Sequence, residues 1–241
     1  MTPSVPLQVI PVLDLAHGQV VRGVRGDRAA YRPIVSRLVA GSEPVAIAEA
    51  LLPPVVPGLA AGSPLYVADL DAIQGGAPQV GTLRRLLASR DDLCLWLDAG
   101  VAGPGEGAAL RDALGASGDR VRLVYGSESL SAGGIGRALA DDAQAILSLD
   151  CRRDRPLDPA GVWARPDLWP RTIVVMTLDR VGAAAGPDVA TLPALRALAP
   201  DRTWIGAGGI RDRNDLRTAA STGATAWLVA SALHDGTLQR E

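Results

Sequence analysis

The chain of 241 residues contains no lysine and no phenylalanine, and only two cysteines and two histidines. Each shortage removes a class of chemistry. Without a lysine amine there is no Schiff-base nucleophile, no pyridoxal-phosphate anchor and no Walker-type phosphate loop. Cys94 and Cys151 are too few for a disulfide framework. Cys94 lies inside an apolar run and reads as a packed small hydrophobe. Cys151 follows Asp150 at a strand end, where packing is again the simpler reading. His17 and His234 do not have metal-ligand spacing, so no metal is expected, and nothing in the sequence calls for a cofactor. No apolar run approaches the ~20 residues that span a bilayer. The first six residues lack the basic start and apolar stretch of a signal peptide, which suggests a cytoplasmic protein. A net charge of -2 gives no general surface for nucleic acid or membrane.

What is abundant is short apolar runs with polar tips, and they come twice. Leu65-Tyr66-Val67-Ala68-Asp69-Leu70-Asp71 precedes Leu95-Trp96-Leu97-Asp98-Ala99-Gly100, and Ile173-Val174-Val175-Met176-Thr177-Leu178-Asp179 precedes Trp204-Ile205-Gly206-Ala207-Gly208-Gly209. Asp71 to Gly100 and Asp179 to Gly208 are both spaced by 29 residues. Each half opens on an apolar run ending in aspartate, Val12-Leu13-Asp14 and Ser148-Leu149-Asp150. Each closes on small residues, Val124-Tyr125-Gly126-Ser127 and Val229-Ala230-Ser231. Four such strands in each of two halves predict an α/β fold, a single (β/α)8 TIM barrel over 1–241, built from duplicated half-barrels at about 1–130 and 131–241. Strands are expected at 8–15, 65–70, 93–98, 121–126, 145–150, 172–178, 203–207 and 226–230. Helices are expected to start at Ser42-Glu43-Pro44 and over 78–90, 187–198 and 212–220. Gln19 to Arg25 reads as a short hairpin. The stretch from Cys151 to Arg171 carries four prolines and leaves little room for a fifth helix.

Strand-end residues of such a barrel share one cup. Asp14 and Asp150, on strands one and five, suit general acid–base work on a substrate held between them. Gly208, Gly209, Ala230 and Ser231, with Gly186 nearby, offer backbone N–H groups to a phosphate after strands seven and eight. Gly100, Gly126 and Ser127 offer a matching second phosphate cup, marred by Asp98. A small phosphorylated ligand, even a bisphosphate, fits this plan. Arg22, Arg25, Arg28, Arg32 and Arg37 crowd the first loop with Tyr31. They read either as a solvated loop or as a clamp on an anionic or aromatic substrate. His17 follows Asp14 closely enough to reach the rim.

Ile10-Pro11-Val12-Leu13-Asp14-Leu15, Val67-Ala68-Asp69-Leu70-Asp71, Tyr125-Gly126-Ser127, Ser148-Leu149-Asp150 and Gly208-Gly209-Ile210 together resemble the HisA/HisF family, the isomerase and cyclase of histidine biosynthesis. The resemblance covers nearly the whole chain. It implies a half-barrel-duplicated TIM barrel for a ligand with two phosphoribosyl ends. It also implies an Amadori aldose–ketose rearrangement with Asp14 as base and Asp150 assisting. Thr177 matches the isomerase's threonine after strand six. Val181 stands where the isomerase has its general-acid aspartate, and valine cannot transfer a proton; Asp179 is the spare acid if its loop turns inward. Asp98-Ala99-Gly100 replaces a Gly-Gly-Gly phosphate turn. The loop after strand five is curtailed, and Tyr31-Arg32-Pro33-Ile34 and Ser36-Arg37-Leu38 have no counterpart. These departures resemble a divergent HisA-like branch of methanogens and methylotrophs, found beside genes for tetrahydromethanopterin and methanofuran synthesis. That likeness implies a phosphorylated pterin, furan or ribosyl substrate. Two other readings keep the fold: a non-catalytic subunit that holds a phosphorylated ligand for a partner enzyme, and a HisF-like cyclase fed ammonia by a glutaminase. Gln19-Val20-Val21-Arg22-Gly23-Val24 resembles the cyclase, although the cyclase's lysine there is missing. A monomer or small homo-oligomer is expected.

Overall fold

Parity along each apolar run, odd against even, determines the architecture. In β1 (Gln8–Ala16), Ile10 and Val12 pack with one group of apolar side chains and Leu13 and Leu15 with another. In β2 (Leu65–Asp69), Tyr66 and Ala68 join the first group and Leu65 and Val67 the second. The first group is the barrel interior and the second lies between the strands and the surrounding helices. A strand buried on both faces has no polar face to alternate, which is why these runs are continuously apolar.

The computed structural model describes residues 7–238 except 26, 28, 29 and 53–63. Arg28 and the first six residues, which carry expectations made above, lie outside the described residues. The remaining barrel strands are β3 (Leu95–Asp98), β4 (Val121–Gly126), β5 (Ile146–Arg152), β6 (Thr172–Thr177), β7 (Thr203–Ala207) and β8 (Ala226–Val229). Each pairs in parallel with the next, and β8 closes on β1 through Gln8↔Ala226 and Pro11↔Val229. This is the expected (β/α)8 barrel. The predicted strand positions agree with it to within one or two residues.

The outer helices begin where local chemistry permits. Pro44 occupies the first turn of Pro44–Leu51, and the Glu43 carboxylate caps it by accepting from Ala46 N at 2.8 Å. Val80–Ser89 buries Leu83, Leu86 and Leu87 completely, each burial contributing about 2 kcal/mol. Asp212 caps Arg213–Ala220 through the amides of Asn214 and Asp215. The helix expected over 187–198 starts later, at Thr191, because Asp188 spends its carboxylate on Ala190 N and Thr191 N ahead of it. Between β5 and β6 the four prolines leave only 3-10 turns, Val162–Ala164 and Pro166–Leu168. The first loop does form a hairpin: Gln19–Arg22 pairs antiparallel with the end of β1 and with Arg32–Pro33. No helix among the described residues is long and apolar enough to cross a membrane.

Candidate active site

Because Ile10 and Val12 point inward, so does Asp14. The same parity carries Trp96 to Asp98 on β3, and Ile146 through Ser148 to Asp150 on β5. Ala68 pairs with Asp14 on one side and with Asp98 on the other, so only a methyl group separates these two strand positions. Asp14, Asp98, Asp150 and Glu128 all line one cavity of about 310 Å3 at the C-terminal end of the barrel. Among the described residues, no group of three or more His, Cys, Asp or Glu side chains is arranged to hold a metal ion.

Asp150 is the most constrained of the four. It is 5% exposed, and its Oδ1 accepts from Ser148 Oγ at 2.6 Å. Burial, reinforced by the charges of Asp98 and Glu128 against the opposing hydrogen bond from Ser148, raises its pKa to about 8. Asp150 therefore holds a proton at neutral pH. Tyr66, almost fully buried, donates its hydroxyl to Asp98 Oδ2 at 3.2 Å. Burial and then the carboxylates of Asp98, Asp150 and Asp14 push its pKa well above the ordinary tyrosine value, so it remains a donor.

The opposite wall is built from backbone and small residues. Gly208 and Gly209 have φ of +83° and +86°, and both line the cavity with Ala230 and Ser231. Only glycine fits at 209, since a Cβ there would lie 2.1 Å from Gly186 O. Gly186 therefore supports this wall from behind without lining the cavity. Arg180 lines the cavity while its Nη1 donates to the carbonyls of Ala185 and Gly186, and Arg211 is held by Asp215.

Several expected residues lie elsewhere. Thr177 has the wrong parity: it is on the outer side with Val175, buried, donating to Asp188 Oδ2 at 2.8 Å. Asp179 does not turn inward; its carboxylate takes the backbone N–H of Arg153, in the turn that follows β5. Ser127 is completely buried, and it donates to Leu157 O while accepting from Asp150 N and the Trp163 indole. Gly100 is behind the cavity wall, with its amide directed at Asp98 Oδ1 at 3.2 Å. Gly126 abuts the carboxylates, since a Cβ there would be 3.2 Å from Asp150 Oδ2. Of the arginine-rich loop, Arg22 and Tyr31 line the cavity. Arg22 is bound to Asp235 by two hydrogen bonds, while the side chains of Arg25, Arg32 and Arg37 are exposed. His17 is exposed and pairs with Asp71 instead of reaching the cavity. Cys151 is buried and its thiol pKa is raised by that burial, in keeping with inert packing.

Tyr66, Asp98, Glu128, Arg152 and Arg180 line the cavity without having been singled out for chemistry from sequence. Parity was the available signal for Tyr66 and Asp98, each lying an even number of residues from an inward neighbour.

The first loop is drawn over the mouth. Arg25 N donates to Val181 O at 2.7 Å. Gly23 sits among Asp14, Val181 and the Tyr31 hydroxyl, and a Cβ on it would lie 2.7 Å from Asp14 Oδ2.

A family model described as "Histidine biosynthesis protein" matches residues 166–239. Over nearly its whole length the chain is similar to a set of curated proteins, of which three illustrate the range. An uncharacterized protein of Methanocaldococcus jannaschii is 23% identical, with 98% of this chain and 96% of the relative covered. The 1-(5-phosphoribosyl)-5-((5-phosphoribosylamino)methylideneamino) imidazole-4-carboxamide isomerase of Paracoccus denitrificans is 27% identical, covering 95% and 94%. The isomerase of that name from Xanthomonas campestris is 28% identical, covering 95% of each chain.

Proposed function

We propose that this barrel, similar over nearly its whole length to histidine-biosynthesis isomerases, is itself an isomerase of phosphorylated, sugar-like substrates, with Asp14 as base and Asp150 as acid. The observation that carries this reading is that Asp14 and Asp150, from opposite strands, line one cavity, with Asp150 buried. Asp150 is buried and keeps its proton to about pH 8, while Asp14 faces it from β1. A carboxyl group that keeps its proton at neutral pH can serve as the acid beside a second carboxyl group acting as base. Asp14 removes a proton from the carbon beside a substrate imine, leaving an enolamine. The enolamine is reprotonated one carbon along, so no net proton is gained or lost. Asp150 supplies the acid, since Val181 has no proton to give and Asp179 is engaged by Arg153. Tyr66 steadies the carboxylate wall from below. The wall of Gly208, Gly209 and Ser231 is the place for the phosphate.

The test is turnover of the relatives' phosphoribosyl aminoaldose by wild-type protein and by Asp14→Asn. Turnover that vanishes in the variant supports the reading. Binding without turnover, indifferent to the substitution, replaces it with a non-catalytic ligand-holding subunit. Asp98 and Val181 depart from the glycine and the acid that the family resemblance implies at these places, and this favours a substrate different from that of the isomerases. Phosphorylated intermediates of one-carbon cofactor synthesis are the next set to assay.

A further inference from the structure

Arg22, Arg180 and Arg211 all line the cavity, but they are held differently. Arg22 donates twice to the Asp235 carboxylate, and the Arg211 side chain donates twice to that of Asp215. Each of these cations is matched by an anion. Arg180 faces no carboxylate among the described residues; its Nη1 donates to the carbonyls of Ala185 and Gly186, both at 3.1 Å. A carbonyl accepts a hydrogen bond but leaves the charge uncancelled. The N–H groups on Nε and Nη2, the other edge of the guanidinium, make no hydrogen bond among the described residues.

The side chain is fixed beside the glycine wall. Its own two bonds close the loop from Arg180 to Gly186, and Ala183 N donates to Arg180 O at 3.3 Å. A Cβ on Gly208 would lie 3.3 Å from the Cβ of Arg180. A Cβ on Gly209 would strike Gly186 O, the same oxygen that holds Nη1. The arginine and both glycines therefore share one backbone frame, and all three line the cavity with Ser231. Backbone amides and a hydroxyl bind a phosphate through hydrogen bonds. A guanidinium adds a full charge and a planar fork of donors, and holding one edge in advance lowers the entropy lost when the other edge binds.

We infer that Arg180 is the charged residue of the phosphate site, and that it makes the site selective for a doubly charged phosphate monoester over a singly charged ester. Nε and Nη2 donate to two phosphate oxygens while Nη1 stays on its carbonyls. This rests on the isomerase reading only in placing a phosphate at this wall.

The experiment is calorimetric titration near pH 7.5 with propyl phosphate and propyl sulfate. The two have the same shape, but the phosphate, with a second pKa near 6, carries about one charge more. Wild-type protein should bind the phosphate ester roughly tenfold or more tighter than the sulfate ester. Arg180→Gln should bring the ratio to within about twofold, chiefly by weakening the phosphate ester. If Arg180 merely braces its loop, the variant will weaken both esters alike and keep the ratio, and that result overturns the inference. So does wild-type protein that does not tell the esters apart. A second measurement needs no variant: propyl phosphate should protect Arg180 from an arginine-specific dicarbonyl reagent, read by peptide mass mapping, while exposed Arg165 stays reactive. Labelling of Arg180 that the ester leaves unchanged overturns the inference even if the variant does not fold. The outcome separates from that of the isomerase reading. An Arg180-dependent charge preference without Asp14-dependent turnover sinks the isomerase and spares the inference; such turnover with a ratio that Arg180→Gln leaves alone does the reverse.

Discussion

The wall over β3–β5 and the wall over β6–β8 descend from the same repeated pattern, yet they are chemically opposite. The first is carboxylates over a buried tyrosine, with its loop amides consumed internally. The second is left-handed glycines and a serine, with arginines turned to carbonyls and to Asp215. The two halves of the barrel supply matching strand-end positions; single residues then decide what each presents.

The contrast can be broken most severely at its centre. Asp14→Asn should lower kcat by about three orders of magnitude or more while leaving phosphate-ligand affinity near wild type, measured by turnover and calorimetry in parallel. Asp150→Asn should cost about 10²–10⁴ in kcat, and the wild-type rate should fall on the alkaline side near pH 8 as Asp150 loses its proton.

Asp150 also leaves a mark on stability. Its folded pKa, about 8, lies above the ordinary aspartate value of 3.8, so the native state binds the extra proton between those values and stability falls as pH rises through that window. His234 works in the other direction. Burial, then the Arg22 charge, lower it from 6.5 to about 4, so its contribution is lost as pH falls through that range. The two offset each other below pH 6.5. From there to about pH 8, Asp150 should make stability fall as pH rises, and Asp150→Asn should flatten that slope in urea titrations.

On the glycine wall, Gly209→Ala should destabilise by about 1–3 kcal/mol and abolish phosphate binding, because φ is +86° and the methyl would strike Gly186 O. The mildest change is Asp179→Asn. Its loss should stay within a few-fold in kcat and about 1 kcal/mol in stability, since only the Arg153 amide is released. A collapse in activity there would restore Asp179 as the acid and erase the distinction between the walls.

The barrel was legible because apolar runs of strand length, ending in polar or small residues, repeat at a fixed interval. Asp14 and Asp150 were legible for the same reason. Asp98 was visible but misjudged, being weighed as a damaged glycine turn rather than as the next inward residue after Trp96. Thr177 was placed by resemblance, and one residue of parity puts it outside the barrel with Asp188. The direction of Asp179 depends on the backbone of Arg153, a partner 26 residues away that no local pattern announces. The closure of Ser127 likewise depends on Leu157 and Trp163, brought there by the shortened connection after β5.

The strap formed by Arg25 and Val181 has a kinetic consequence. A single amide-to-carbonyl bond, worth about 1 kcal/mol net, joins loops from strands that are not neighbours in the barrel. Such a fastening is broken by thermal motion far faster than most chemistry proceeds. It therefore sets where the first loop rests without locking it there.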